Sequence, residues 1–467
     1  MLSLPRSVSD YLQKCRSDTS PPLNSGSDSL QTISQAVVIP ALAEKSYLFS
    51  TLASLARNDP GELERTLVIC VINNRPYPLV SRESLQDNRE TLKILQSLSF
   101  GLMPAPEDGD SCLIKCCREI LQRRLRLAYL DASSMGLEMP RKHGGVGLAR
   151  KWGMDAGLAV MDYESYGSRR LLCLDADSPV EANYLAAIRR FYEKHNCHAA
   201  VISYAHPLPE DQQLLAAICS YEIFLRYYVL GLNYAGSPYA FHTIGSTMSC
   251  TVRGYVAVRG MNRREAGEDF YFLNKLAKLS PMGSVSMTRV YPSARPSQRV
   301  PFGTGQRISD CLEGKNREDF FYDPQVFVIL KQLLKGMEIC VEEGGSNVMQ
   351  LARDISPLLA SFLERSDFPT VWDRICRTHK RREKRVRHFQ EWFDAFQTMK
   401  LIHYLTEAAY PTLGLWQAVP KLLELVDQPL FNPVLAACAG NVSGLDENIA
   451  MLKTLRELEI YGDGGTF

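Results

Sequence analysis

Two pairs of carboxylates are placed where they can do chemistry. Asp175-Ala176-Asp177 closes the apolar run Arg170 to Leu174, and Glu268-Asp269 follows Gly267 at the head of the stretch Phe270 to Leu279. Carboxylates one residue apart at a strand's end point the same way and can share a divalent cation. Mg2+ and Mn2+ prefer such oxygen ligands and commonly bridge substrate phosphates. Asp177-Ser178-Pro179 also reads as a helix start, with Asp177 as N-cap and proline in the first turn. Glu268 and Asp269 have two readings as well. In a first turn they are stabilised by the helix dipole; in a pocket, one of them can take a proton from a substrate hydroxyl. The segment before them, Gly236 to Ser249, is small, polar and aromatic, the composition of a pocket lining, and it carries Tyr239 and His242.

Other motifs are weaker. Gly144-Gly145-Val146-Gly147-Leu148-Ala149-Arg150 has the glycines of a dinucleotide fingerprint, but no strand directly precedes it and its third small residue comes one position early. It still offers a Gly-rich turn, a helix N-terminus, Arg150 and Lys151, which suit a diphosphate. No Walker loop is present. The run Arg377 to His388 is densely basic, which reads as a solvated helix face or as a contact with a membrane surface or acidic ligand. The eight histidines show no paired ligand spacing. The only cysteine cluster, Cys112, Cys116 and Cys117, reads as thiols on a helix rather than a metal site.

These residues need a scaffold, and the hydrophobic pattern supplies one. Ala36 to Pro40 and Thr66 to Ile72 are short apolar runs of buried parallel strands, with a helix bearing Leu48, Leu52 and Leu55 between them. Such a βαβ unit implies a right-handed crossover. A helix over Asp87–Ser99, a strand over Leu125–Leu130, a helix over Leu148–Met161, the strand Arg170–Leu174, a helix over 179–195 and a strand over Ala199–Ser203 continue the alternation. The expected organisation is a loosely ordered leader over 1–35 with a short helix near Val8 to Cys15, an α/β domain over 36–305, and a helical domain over 306–467. Leu214 to Leu232 contains Glu222 and Arg226 and reads as a buried helix.

Composition sets outer limits. Lys and Arg number 53 against 52 Asp and Glu, a balance that argues against a nucleic-acid binder. Hydrophobic residues at 45% and charged residues at 22% exclude wholesale disorder. Thirteen unpaired cysteines and an N-terminus interrupted by Arg6, Asp10, Lys14 and Arg16 lead us to expect a cytoplasmic protein.

In order along residues 36–280, these pieces resemble a family 2-type glycosyltransferase with the GT-A fold, a mostly parallel α/β sheet flanked by helices. Val37-Val38-Ile39-Pro40-Ala41-Leu42-Ala43-Glu44 resembles the opening strand, and Gly147 to Gly153 is similar to the "G-x-A-R-N-x-G" helix. Leu174 to Asp177 matches the Asp-x-Asp metal motif, and Val258 to Asn262 followed by Glu268-Asp269 resembles the Gly-Gly-Phe turn and Glu-Asp. The chain departs from the pattern at Ala43, where the family has Asn, at the Asn73-Asn74-Arg75-Pro76 turn, usually acidic, and at Arg259-Gly260-Met261.

The resemblance implies a hexosyltransferase that uses a nucleotide-diphosphate sugar and Mg2+ or Mn2+ held by Asp175 and Asp177. Donor contacts would come from Pro40, Ala41, Glu44, Asn73, Asn74, Arg150, Lys151, Asp175, Arg295 and Arg299. Asp269 would be the base of an inverting displacement, with Glu268 positioning the acceptor beside Tyr239 and His242. Arg295 to Gly305, with two arginines and two glycines, reads either as a cover for the diphosphate or as an ordinary linker. The acceptor is left open among a small molecule, a protein and a lipid-linked glycan, with peripheral membrane contact through 377–388. The rivals are a sugar nucleotidyltransferase, which would usually have an early Gly-rich loop absent from Ala41 to Ser46, and a non-catalytic sugar-nucleotide-binding scaffold.

Overall fold

The computed structural model describes residues 4–16, 19–26, 32–105, 110–165, 167–297, 303–315, 320–342, 347–427 and 444–461. The chain divides into two compact units, 1–207 with 243–306, and 208–242 with 307–467.

In the first unit the elements run α1 (Arg6–Cys15), β1 (Leu23–Ser25), β2 (Gln35–Ala41), α2 (Lys45–Ala56), α3 (Pro60–Leu63), β3 (Thr66–Asn73), α4 (Arg82–Ser99), α5 (Ser111–Gln122), β4 (Leu127–Ala132), α6 (Val146–Val160), β5 (Arg170–Cys173), α7 (Tyr184–Lys194) and β6 (Ala199–Tyr204). After the excursion through the second unit come β7 (Met248–Thr251), the short α9 (Val252–Ala257), α10 (Glu268–Ala277) and β8 (Gly283–Val290). The eight strands form one mixed, mostly parallel sheet in the order β1-β4-β3-β2-β5-β7-β6-β8, flanked by helices as expected.

The order explains where a site must fall. β2 pairs in parallel with β3 on one side and β5 on the other, so the chain winds outward in both directions from the β2/β5 boundary. At such a switch point the connections leave a crevice beyond the strands' carboxyl ends. Those ends are Ala41 and Cys173. β2 and β3 are buried along their whole length, because both faces are covered. Leu48, Leu52 and Leu55 of α2 cover one face with Val37, Ile39, Val68 and Cys70. On the other face α6 comes unusually close. A Cβ on Gly153 would lie 2.4 Å from Val38 Cγ1, and one on Gly157 would lie 2.9 Å from Ala36 Cβ.

Three expectations change. Residues before 36 are not a loose leader where they are described: Val8 and Tyr11 of α1 are buried, and β1 extends the sheet antiparallel to β4. α7 starts at Tyr184 rather than 179, because Val180 first bridges to Val290. Helix α8 (Gln212–Tyr234), expected inside the α/β domain, belongs to the second unit.

That second unit is helical. It holds α8, most of α11 (Thr304–Leu312), α12 (Gln325–Glu342), α13 (Val348–Ile355), α14 (Pro357–Arg365), α15 (Phe368–Thr378), α16 (Arg382–Trp392), α17 (Ala395–Ala408), α18 (Leu415–Val426) and α19 (Leu445–Tyr461). Tyr227, Phe321, Phe327, Phe368, Phe389 and Phe393 anchor its core. By length and composition α8 is apolar enough to cross a membrane. Its two charges are paired inside this unit. Arg226 donates to Glu222 at 2.8 Å, and Arg456 of α19 donates to the same carboxylate at 2.6 Å.

Candidate active site

The site grows from the end of β5. Leu174 N–H continues the ladder to Val38 C=O, and a turn closed by Ser178 N–H on Asp175 C=O follows. Because α7 begins later and Asn183 takes its N-cap position, Asp177 caps no helix. The local structural reason for that carboxylate disappears.

Arg150, one turn into α6, reaches this turn. Its Nη2 donates to Asp175 Oδ1 at 2.6 Å and its Nε to Glu268 Oε1 at 3.0 Å. One buried guanidinium thus ties the Asp-x-Asp turn to the acidic pair at the head of α10. α6 and α10 approach so tightly that a Cβ on Gly147 would meet Arg264 C=O at 2.5 Å and Glu268 Cβ at 3.0 Å. Gly267, with φ 68° in the left-handed region, turns the chain into α10, and Asn262 Nδ2 holds Glu268 C=O at 2.8 Å.

Asp269 faces the same point from another side. A Cβ on Gly245 would lie 2.4 Å from Arg150 Nη2 and 3.7 Å from Asp269 Oδ2. Glycine there leaves room for the guanidinium. Among the described residues Arg150 Nη1 and the hydroxyl of neighbouring Ser246 are buried without hydrogen-bond partners. Buried donors rarely stay unpaired without a reason such as a ligand or water.

A second arginine organises the other half. Arg295 donates from Nη2 to Glu44 Oε1 at 2.5 Å, lies 2.8 Å from Asp177 Oδ2 through Nε, and stacks over the Tyr47 ring at 4.2 Å. Glu44 follows Ala43, whose φ of 53° bends the chain off β2. Ala43 N–H is held by Asn88 Oδ1 at 2.8 Å, while Asn88 Nδ2 donates to Asn74 Oδ1 at 2.8 Å. This amide relay fixes the ends of β2 and β3 together.

The electrostatics follow from burial. Desolvation pushes the Asp269 carboxyl up to about 7, with the negative charge of Glu268 adding to it. Desolvation also raises Asp177 to about 6 against the pull of Arg295. Glu268 moves upward for the same reason, opposed by Arg150. Burial disfavours the Arg150 cation, but Asp175 and Glu268 more than offset that and keep it charged.

The residues expected from sequence fall into groups. Asp175, Asp177, Glu268, Asp269, Arg150, Glu44 and Arg295 form one linked cluster. Pro40 and Ala41 are buried at the end of β2 beside Val71 and Ile72. Asn73 and Asn74 sit at the end of β3, Asn73 with a buried Oδ1 that has no partner. Lys151 is engaged elsewhere: its ammonium donates to Tyr11 Oη at 2.7 Å and pairs with Asp155 at 3.0 Å. Tyr239 and His242 lie in the helical unit, where Tyr239 Oη donates to Gln390 C=O at 2.8 Å and His242 Nε2 meets Glu459 Oε1 at 2.8 Å. Arg299 lies outside the described residues. Sequence reasoning did not single out Tyr47, Asn88 or Gly245. Of these only Tyr47 carried a signal, as an aromatic one turn beyond Glu44.

Among the described residues no group of three or more His, Cys, Asp or Glu side chains could hold a metal ion by itself. The side chain of Asp175 is 36% exposed and spends Oδ1 on Arg150. It therefore suits a cation completed by substrate oxygens, as Mg2+ sites commonly are.

No protein-family model matches the chain, and no curated protein matches it. Among solved structures it is similar to residues 1–349 of S. aureus TarS in complex with UDP-GlcNAc, at 15% identity over 92% of each chain with a TM-score of 0.33. It is also similar to the mannosyltransferase PcManGT from Pyrobaculum calidifontis in complex with GDP-Man and Mn2+, at 13% identity over 83% of this chain and 92% of that one, TM-score 0.33. At that level the functional reading rests on the residues themselves.

Proposed function

We propose that the chain is a GT-A-type glycosyltransferase that moves a sugar, a hexose on our reading, from a nucleotide-diphosphate donor to an acceptor hydroxyl with inversion. The observation that carries this reading is the Arg150 bridge, which gathers Asp175, Glu268 and Asp269 at the sheet's switch point. Random carboxylates would have no reason to converge there on a shared, buried cation.

The division of labour follows from the surroundings of each group. The donor lies across the strand ends, its base toward Glu44, Asn73 and Asn74 and its diphosphate toward Asp175. Mg2+ or Mn2+, held by Asp175 with Asp177, would supply charge neutralisation for the diphosphate leaving group. Arg150 Nη1 and Ser246 Oγ offer unpaired donors to oxygens entering the pocket. Asp269, with its acidity moved to about 7, is matched to take a proton from an alcohol near neutral pH. Glu268, fixed by Arg150, orients the acceptor and raises the basicity of its neighbour. The acceptor class is not specified by these groups.

Incubation with a panel of UDP- and GDP-sugars plus Mn2+ tests the reading. Release of the nucleoside diphosphate, lost in Asp269→Asn, is the expected result, and anomeric configuration in the product reports inversion. Pyrophosphate exchange in place of nucleoside diphosphate release would favour nucleotidyl transfer and overturn it.

A further inference from the structure

The helical unit presents a compact cationic surface. In the last turn of α15, the connection 379–381 and the first turns of α16, seven basic side chains are exposed: Arg374, Arg377, Lys380, Arg381, Arg382, Lys384 and Arg387. Opposing them are Asp373, paired with Arg377, Glu391, paired with Arg387, and Glu383. Arg374, Lys380, Arg381, Arg382 and Lys384 hold no ion pair among the described residues.

The hairpin that carries them is held by internal contacts. Arg385 turns inward and donates from Nε to His379 C=O at 2.7 Å, and the His379 and His388 rings stack at 3.9 Å. Beneath, Phe368, Trp372 and Phe389 pack edge and face at 5.8–6.4 Å between centroids. The cations are thus presented outward on a fixed base, and holding them together costs repulsion that folding alone does not require.

We propose that this turn docks the protein on an anionic lipid bilayer. Seven exposed cations spread over two helix ends and their connection exceed what one small anion can pair, whereas a surface with many mobile negative charges engages all of them without a set register. No aromatic ring is exposed on the turn to stack a base, which disfavours single-stranded nucleic acid. The large apolar residues here are buried, so binding is electrostatic and lies on the surface without insertion. The inference does not depend on the glycosyltransferase reading.

The full chain is sedimented with vesicles of phosphatidylcholine alone or mixed with phosphatidylserine. Binding is expected only with the anionic lipid, and it should vanish near 1 M salt, where screening falls to about 3 Å. At about fivefold per cation, the variant K380Q/R381Q/R382Q/K384Q should lose several hundred-fold in partitioning. A control with equal charge change on other exposed sites, R89Q/K115Q/R118Q/R123Q, should keep most of it. Equal loss in the control, no wild-type binding to anionic vesicles at low salt, or retention of single-stranded RNA in place of vesicles would each overturn the proposal.

Discussion

Replacing Asp269 by Asn separates what this carboxylate does for chemistry from what it costs the fold. Asn keeps an oxygen for Phe270 N–H, which now bonds Asp269 Oδ1 at 2.7 Å, so the local turn survives. Proton acceptance is lost, and transfer should fall roughly 10²–10⁴-fold. Stability should move the other way. The native acidity stands near 7 against an ordinary 3.8, so between those values the unfolded chain has lost the proton while the native one keeps it. Native stability therefore declines as pH climbs through that window. Above about 7 both states are ionised and the penalty is complete, on the order of 4 kcal/mol. The variant never incurs it. Its melting temperature should exceed wild type by roughly 4–8 °C at pH 8, at about 1–2 °C per kcal/mol for a chain of this size, and the gain should shrink toward zero near pH 4. Scanning calorimetry from pH 4 to 8, paired with donor-turnover assays, reads both quantities. A variant less stable than wild type at pH 8, or a gain independent of pH, would refute the assignment of Asp269 as a buried, strained base.

Three further outcomes follow from contacts described above. Arg150→Met strands Asp175 and Glu268 without their shared cation, costing about 3–5 kcal/mol by denaturant melt; because Arg150 holds the pKa of Asp269 down, any residual activity should shift its acid limb to higher pH. Gly153→Ala drives a methyl into Val38 and Val71 and should cost about 1–3 kcal/mol in urea unfolding with the donor KM nearly unchanged. Glu222→Gln removes the carboxylate that Arg226 and Arg456 share and leaves Arg226 with Glu459 alone; it should cost about 3 kcal/mol or less, and amide exchange should quicken first in α8 and α19.

Much of the first unit was legible because its central strands are largely apolar. β2, β3 and β5 are covered on both faces, so burial writes itself into the sequence as unbroken runs. β8 was not, since its Gly-Ser-Val-Ser-Met-Thr-Arg-Val buries only Val285, Thr288 and Val290 and makes no apolar run. β7 was concealed inside a segment resembling a pocket lining. Residues before 36 misled because composition reports average solubility and is blind to one well-placed ring: Tyr11 Oη donates to Asp155 at 2.8 Å, 144 residues away. In the site, residue types were readable and pairings were not. Lys151 is adjacent to Arg150 in sequence, yet a helix turns about 100° per residue, so one side chain meets Asp175 and the other meets Asp155.

The charge balance at the strand ends carries its own consequence. Glu44, Asp175, Asp177, Glu268 and Asp269 gather there, and among the described residues Arg150 pairs with Asp175 and Glu268 and Arg295 with Glu44 and Asp177, while Lys151 is committed to Asp155. A diphosphate brought to these strand ends would meet more negative charge than positive, in surroundings where burial weakens screening. Two responses lower that energy. Asp269 and Asp177 hold protons more tightly than free carboxyls do, which burial already brings about, and a divalent cation between Asp175 and the phosphates would remove the rest. The first response would give the proposed base its strength without a histidine. The second is the reason the proposed transfer is expected to depend on a divalent cation, on the carboxylate excess alone.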